Sequence, residues 1–367
     1  SLIAPNDPVK GKWSFNHLPV IPPQFEINPS DKKAGERLKM LVKLIKRKDV
    51  SALINACDAG REGELIFRYI QQYAGQNKPV QRLWLQSMTQ DAIREAFKNL
   101  RSDELMKPLE AAARSRAEAD WLVGINGTRA MTAFNSKDGG FFKTPVGRVQ
   151  TPTLTIVAER EEKIRKFEPR DYWEVRATFV AAAGLYEGRW FDPAFSKSPT
   201  DPEQKESRLW IEAAAKSVVA ACREQPGTVT EESKPKTETS PQLYDLTSLQ
   251  REANGRFGFS AKTTLSLAQS LYERHKALTY PRTDSRYLPE DYINTVKDTL
   301  AGIAEGQGVA KSLAPHAAAI TKNAWVKPSK RIFDNKKVSD HFAIIPTLQI
   351  PKELSEAEAK LYDLVVK

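Results

Sequence analysis

Ala52-Leu53-Ile54-Asn55-Ala56-Cys57-Asp58-Ala59-Gly60-Arg61-Glu62-Gly63-Glu64 reads as strand, turn and helix start. Residues 52–56 form a short apolar run of the kind a buried strand makes. Asp58-Ala59-Gly60 is a turn, and residues 64–73 are a helix. A basic amphipathic helix precedes them: Leu38, Leu41, Leu44 and Ile45 share one face within residues 33–48. Residues 80–85 read as a second strand and residues 90–100 as a further helix. Strand and helix alternate, so residues 1–105 read as an α/β layer with a parallel sheet. Residues 1–30 carry Trp13, Phe15, Pro19, Pro22, Pro23 and Phe25, and predict an irregular segment lying on other structure.

Beyond residue 105 the period changes. Leu109, Ala113, Ala117, Trp121 and Ile125 recur every four residues, marking one face of a long helix. Residues 106–168 are therefore mostly helical, interrupted at Lys137-Asp138-Gly139-Gly140. Trp173, Val175, Ala177 and Phe179 then alternate with Glu174, Arg176 and Thr178, the pattern of a half-buried strand. Further strands at residues 185–190 and 228–232, with a helix at 211–223, make residues 169–240 a β-rich region. Residues 241–367 return to helix, with Ser260 as an N-cap for the helix carrying Leu265, Ala268, Leu271 and Tyr272. The sequence thus predicts a multidomain α/β plus α and β protein, divided as 1–105, 106–168, 169–240 and 241–367.

The chain has 367 residues, 40% of them hydrophobic and 28% charged, which suits a soluble protein with real cores. No run of eighteen apolar residues predicts a membrane span. The first residues show no signal peptide. Cys57 and Cys222 are the only cysteines, which excludes a disulfide framework and a four-cysteine zinc site and suits a cytoplasmic location. The net charge of +10 suits a polyanionic partner through counterion release, although many soluble proteins are mildly basic. The ends of the sequence read as those of a truncated core.

Four segments carry chemistry. Ala277-Leu278-Thr279-Tyr280-Pro281-Arg282-Thr283-Asp284-Ser285 places a phenol, a guanidinium and a carboxylate at alternate positions. Strand periodicity sends all three to one side, where they can converge on a phosphodiester. Proline at 281 pushes Tyr280 into an extended conformation just beyond a helix. The carboxylates of Asp58, Glu62 and Glu64 can hold a hard cation such as Mg²⁺ or relay protons. They equally suit the positive end of a helix dipole. Arg114 with Glu118, and Arg116 with Asp120, form i, i+4 pairs that brace a helix. Pro145-Val146-Gly147-Arg148-Val149-Gln150-Thr151-Pro152 sets glycine beside arginine at a helix start, suited either to a phosphate or to a plain loop-to-helix junction. In Asp340-His341-Phe342-Ala343-Ile344-Ile345-Pro346-Thr347, the histidine beside an apolar run suits either a core role or a proton-coupling role.

Taken together and in order, these segments resemble a type IA DNA topoisomerase of the topoisomerase III branch. The resemblance implies a partial toroid core: a Toprim-type α/β layer, a helical domain, a β-rich arch and a mostly helical tyrosine-bearing domain. It implies Tyr280 as nucleophile, Arg282 stabilising the transition state, and Asp284 and His341 as further catalytic groups. It implies Asp58 and Glu62 as metal positions for Mg²⁺, with Glu64 as a substitute ligand. Arg114, Arg116, Lys143, Arg148 and Gln150 would contact DNA. The implied function is ATP-independent cleavage of one strand through a 5′-phosphotyrosine, strand passage and religation. Its partners would be single-stranded and negatively supercoiled DNA, met by a bacterial, nucleoid-associated monomer with no membrane partner. Gly60 departs from the family, which commonly has a second aspartate there. No Glu-Lys-Pro-Ser motif precedes Ser1, so the chain alone is expected to be impaired in relaxation. The alternatives are a fragment that grips single-stranded DNA without chemistry, and another Toprim enzyme such as a nuclease or primase.

Overall fold

The computed structural model describes the backbone of Leu2–Ile3 and residues 13–306 and 311–367. Ser1 and residues 4–12, part of the irregular segment expected over 1–30 and of the start expected to show no signal peptide, lie outside the described residues. Along the chain run β1 (Leu2–Ile3), β2 (Glu26–Ile27), α1 (Lys32–Ile45), β3 (Leu53–Asn55), α2 (Arg61–Ala74), β4 (Val80–Arg82), α3 (Gln90–Lys98) and β5 (Arg101–Ser102). Then come α4 (Lys107–Asn135), α5 (Gln150–Arg165), β6 (Arg176–Ala181), β7 (Gly184–Arg189), α6 (Glu212–Cys222), α7 (Leu246–Phe257) and α8 (Ala261–Glu273). The last helices are α9 (Ile293–Ala304), α10 (Ala314–Lys322) and α11 (Glu356–Val366). The chain forms two compact units: Ser1–Gln150 with Thr239–Lys367, and Thr151–Glu238.

In the first unit β3 pairs parallel with β4, as the alternation predicts, but β5 closes the small sheet antiparallel. The first strand is not wholly buried: Ile54 is exposed while Asn55 is buried. Asn55 begins a polar interior. Its amide donates to Glu64 at 3.0 Å and its side-chain oxygen accepts from the Cys57 amide at 3.1 Å. Arg82 lies 1% exposed below the β3–α2 loop. Its guanidinium donates to the carbonyls of Asn55 at 2.9 Å and Cys57 at 2.7 Å, and also to that of Asp58. The loop therefore takes its shape from donors beneath it.

Residues 13–30 lie on α4. Phe25 sets its ring edge-on to Trp121, and Asn126 donates to the Val20 carbonyl at 2.9 Å. The tyrosine segment rests on an apolar core of α7, α8 and α11, with Leu249, Leu271, Leu361 and Tyr362 fully buried. Ser260 caps α8 as predicted, accepting from the Thr263 amide at 3.0 Å. A Ser355 capping box starts α11.

The second unit holds most of α5, the antiparallel β6–β7 hairpin and α6. The alternation at 173–179 predicts a half-buried strand, but the regular strand starts at Arg176 and is exposed along its length. Trp173 instead bridges to Leu209. Residues 228–232 form no strand.

Candidate active site

Residues 277–285 run antiparallel beside residues 341–347. The Thr279 amide donates to the Ile345 carbonyl at 3.0 Å, and the Thr347 amide to the Ala277 carbonyl at 3.0 Å. Thr279 reinforces this pairing, with its hydroxyl donating to the Ala343 carbonyl and accepting from the Ile345 amide, each at 2.9 Å. Thr279, Thr283 and Ser285 are buried, Tyr280 is half-buried, and Arg282 and Asp284 are exposed. The period of two holds without a continuous strand, because the neighbouring segment 341–347 and three buried hydroxyl side chains keep the backbone extended.

The pairing sets His341 against Tyr280, with ring centroids 4.2 Å apart. His341 Nε2 in turn lies 3.7 Å from Asp58 Oδ2. Asp284 accepts from the Ser339 hydroxyl at 2.6 Å. Arg282, Asp284 and His341 line a cleft of about 900 Å³ together with Gly60, Glu62 and Asp340. Burial pushes the Tyr280 phenol above its ordinary value, and the Asp58 carboxylate adds to this while Arg282 opposes it. Burial also raises the Asp340 carboxyl, with Asp284 and Asp58 adding to the effect and His341 and Arg61 opposing it. The Cys57 thiol is pushed up by burial, which leaves it a poor rival nucleophile.

The acidic loop sits close to this segment. A Cβ built on Gly60 would fall 2.0 Å from Asp340 Oδ2, so the Asp340 carboxylate occupies the space a side chain at 60 would need. On Gly63 a Cβ would lie 2.1 Å from the Asp58 carbonyl, so the first turn of α2 closes on the loop only with glycine there.

The three expected metal carboxylates are not brought together. Asp58 and Glu62 are exposed, and Glu62 lines the cleft. Glu64 is fully buried, paired with Arg68 at 2.8 Å and Arg82 at 3.4 Å. The Glu64 oxygens are engaged inside the layer, by Asn55, Arg68 and Arg82. Among the described residues no group of three or more His, Cys, Asp or Glu side chains is arranged to hold a metal ion. The residues as placed do not fit a three-carboxylate cation site.

The residues expected to touch DNA are also placed unevenly. Arg114 reaches Gln72 at 3.1 Å and Glu110 at 3.7 Å rather than Glu118. Asp120 is held by Arg148, at 2.7 and 3.0 Å, rather than by Arg116. Lys143 and Gln150 are exposed, and Arg116 is half-buried. Sequence reasoning gave no role to Gln269, which meets Arg282, or to Asp340, which meets Gly60. The glycine at 60 was the one signal for the second; the polar face of α8 held none for the first.

A tyrosine, an arginine and a histidine thus lie beside an acidic loop. A family model for DNA topoisomerases matches residues 104–367, and the chain belongs to that family. Among the relatives it resembles are DNA topoisomerase 3 of Bacillus licheniformis, 42% identical over 97% of this chain, and of Bacillus subtilis, 42% identical over 97%. The chain spans about half the length of these curated relatives, 46% of each. The solved structure of full-length topoisomerase I from Thermotoga maritima matches with a TM-score of 0.56 at 23% identity, covering 94% of this chain and 51% of that one. That likeness establishes the fold. Among the described residues no helix is long and apolar enough to cross a membrane.

Proposed function

We propose that this chain carries the strand-cleaving centre of a type IA DNA topoisomerase acting on single-stranded DNA within negatively supercoiled duplex. One observation carries the reading: Arg282 and Asp284 line one cleft with His341 and the acidic loop, and Tyr280 packs on His341. The Tyr280 oxygen attacks the phosphorus of a phosphodiester. A bond forms from the phenolic oxygen to phosphorus, and the bond from phosphorus to the 3′ oxygen breaks. The downstream strand stays on Tyr280 as a 5′-phosphotyrosine, and the departing 3′ oxygen takes a proton. Because the phenol is raised by burial, its own proton needs an acceptor. His341, packed on the phenol ring with Asp58 beyond it, is proposed as that acceptor. Arg282 faces the charge that grows on the phosphoryl oxygens. In the reverse step the 3′-hydroxyl attacks the phosphotyrosine, so religation needs no ATP. Mg²⁺, implied by the resemblance, would be held by Asp58 and Glu62 and would supply positive charge near the phosphate; Glu64 is taken by Arg68 and Arg82. Lys143, Arg148 and Gln150 are proposed to track the strand's phosphates; sequence-tolerant stacking and phosphate contacts favour single strands.

The test is a single-stranded oligonucleotide labelled at either end and resolved on a denaturing gel. A protein-linked band that keeps only the 3′-side label, and disappears with Tyr280→Phe, is the expected result. Binding without any adduct points instead to a strand-gripping fragment. An adduct that survives Tyr280→Phe overturns the assignment.

A further inference from the structure

Arg282 makes no ion pair among the described residues. Its guanidinium is held instead by Gln269 on α8. With its amide oxygen turned to the arginine, Gln269 accepts from Nε at 3.2 Å and from Nη2 at 3.1 Å. One oxygen thus takes one edge of the guanidinium, and the remaining N–H groups are left for another acceptor. One turn further along, Tyr272 sets its ring edge-on to Tyr280, with centroids 5.4 Å apart and planes at 80°. Residues 269 and 272 are i, i+3 neighbours on the helix surface. Between them, Leu271 is fully buried and fastens α8 to the apolar core. A single helix face therefore touches both the phenol and the guanidinium.

We propose that Gln269 is a positioning residue for strand cleavage: it fixes the Arg282 guanidinium towards the scissile phosphate without cancelling its charge. This rests on the reading of Tyr280 as nucleophile and deepens it. The choice of side chain carries the argument. A glutamate at 269 would hold the same two N–H groups, and more strongly. It would also neutralise the cation that has to meet a phosphate. An amide oxygen of the same length keeps the geometry and leaves the charge whole. Tyr272 restrains the phenol from the same helix face, so the two groups keep their spacing when the strand arrives.

The experiment uses the intact natural protein and its Gln269→Ala, Gln269→Glu, Arg282→Ala and Gln269→Ala/Arg282→Ala variants. It measures single-turnover adduct formation on a 3′-labelled oligonucleotide and single-strand affinity across a salt series. Gln269→Ala is expected to slow adduct formation roughly 10- to 100-fold, the scale of a misplaced reacting group. Its affinity and salt dependence stay near wild type. The double variant is no slower than Arg282→Ala, since the two residues act as one unit. Gln269→Glu is expected to slow cleavage and also to reduce the salt slope by about 0.7, the value for one phosphate contact on a single strand. A role confined to stability would leave the slope untouched and make the two alanine effects multiply. Multiplying effects, or wild-type rates in the Gln269 variants while Tyr280→Phe abolishes the adduct, overturn the positioning role alone. An adduct that survives Tyr280→Phe overturns the nucleophile assignment and the positioning role with it. Should Gln269→Ala not fold, the near-isosteric Gln269→Glu still supplies both rate and slope.

Discussion

Beneath the acidic loop the interior is charged; beneath the tyrosine segment it is apolar. In the first, Asn55, Glu64, Arg68 and Arg82 are buried together. In the second, Leu249, Leu271, Leu361 and Tyr362 are buried. The difference follows from what each interior has to hold. The β3–α2 loop presents three carbonyls inward, and only a donor array such as Arg82 can fix them. Glu64 then balances that guanidinium and the one on Arg68. The tyrosine segment satisfies its backbone sideways, on residues 341–347, so its underside needs only shape and dryness. A charged interior fixes a loop at the risk of a large loss when one member goes, whereas an apolar interior loses in proportion to the volume removed.

The largest expected effect tests the charged side. Glu64→Leu leaves Arg82 buried without its carboxylate and should cost about 3–5 kcal/mol in chemical denaturation. A loss below about 1 kcal/mol, the scale of a surface pair, would erase the contrast. Next is Leu271→Ala in the apolar core, which should cost about 2–5 kcal/mol by cavity formation. It should change little with salt, while Glu64→Leu should change the salt response of unfolding. The smallest effect concerns Glu358, a buried acid on α11. Hydrogen bonds from Ser270 and Ser355, with His275 nearby, hold the Glu358 carboxyl at about 2, below its ordinary 4.5. A depressed folded value stabilises above the unfolded value, and that gain is lost as pH falls. Glu358→Gln should therefore cost about 2 kcal/mol near neutral pH. The difference from the parent should close between about pH 4.5 and pH 2. A constant difference across that window would mean that packing, not charge, sets the loss.

Much of the local structure was legible. The apolar periods of α1 and α4 and the Ser260 cap of α8 announce themselves, and the alternation in Tyr280, Arg282 and Asp284 survives in the exposure of the side chains. What escaped was set by distant partners. The i, i+4 rule sees only the helix's own neighbours, so Asp120 was assigned to Arg116 although Arg148, 28 residues away, holds it. Glu64 was grouped with Glu62 because both follow the same turn. Residues two apart on a helix do not share a face. Glu62 lines the cleft and Glu64 points into the layer, a distinction the helical period already contained. In the second unit the alternation at 173–179 was real, but Trp173 pairs across to Leu209 and the hairpin itself lies exposed. Gln269 had no signal at all, since a glutamine on a helix earns meaning only from what stands opposite.

The close approach of Asp340 to Gly60 also sets a rule for anyone rewriting this sequence. The two positions draw on one shared volume, large enough for a single acidic group. A side chain added at 60 therefore displaces the Asp340 carboxylate from where it now lies. An aspartate introduced at 60 obliges Asp340 to turn its carboxylate elsewhere. The two positions, 280 residues apart, are best treated as one site of choice and exchanged together.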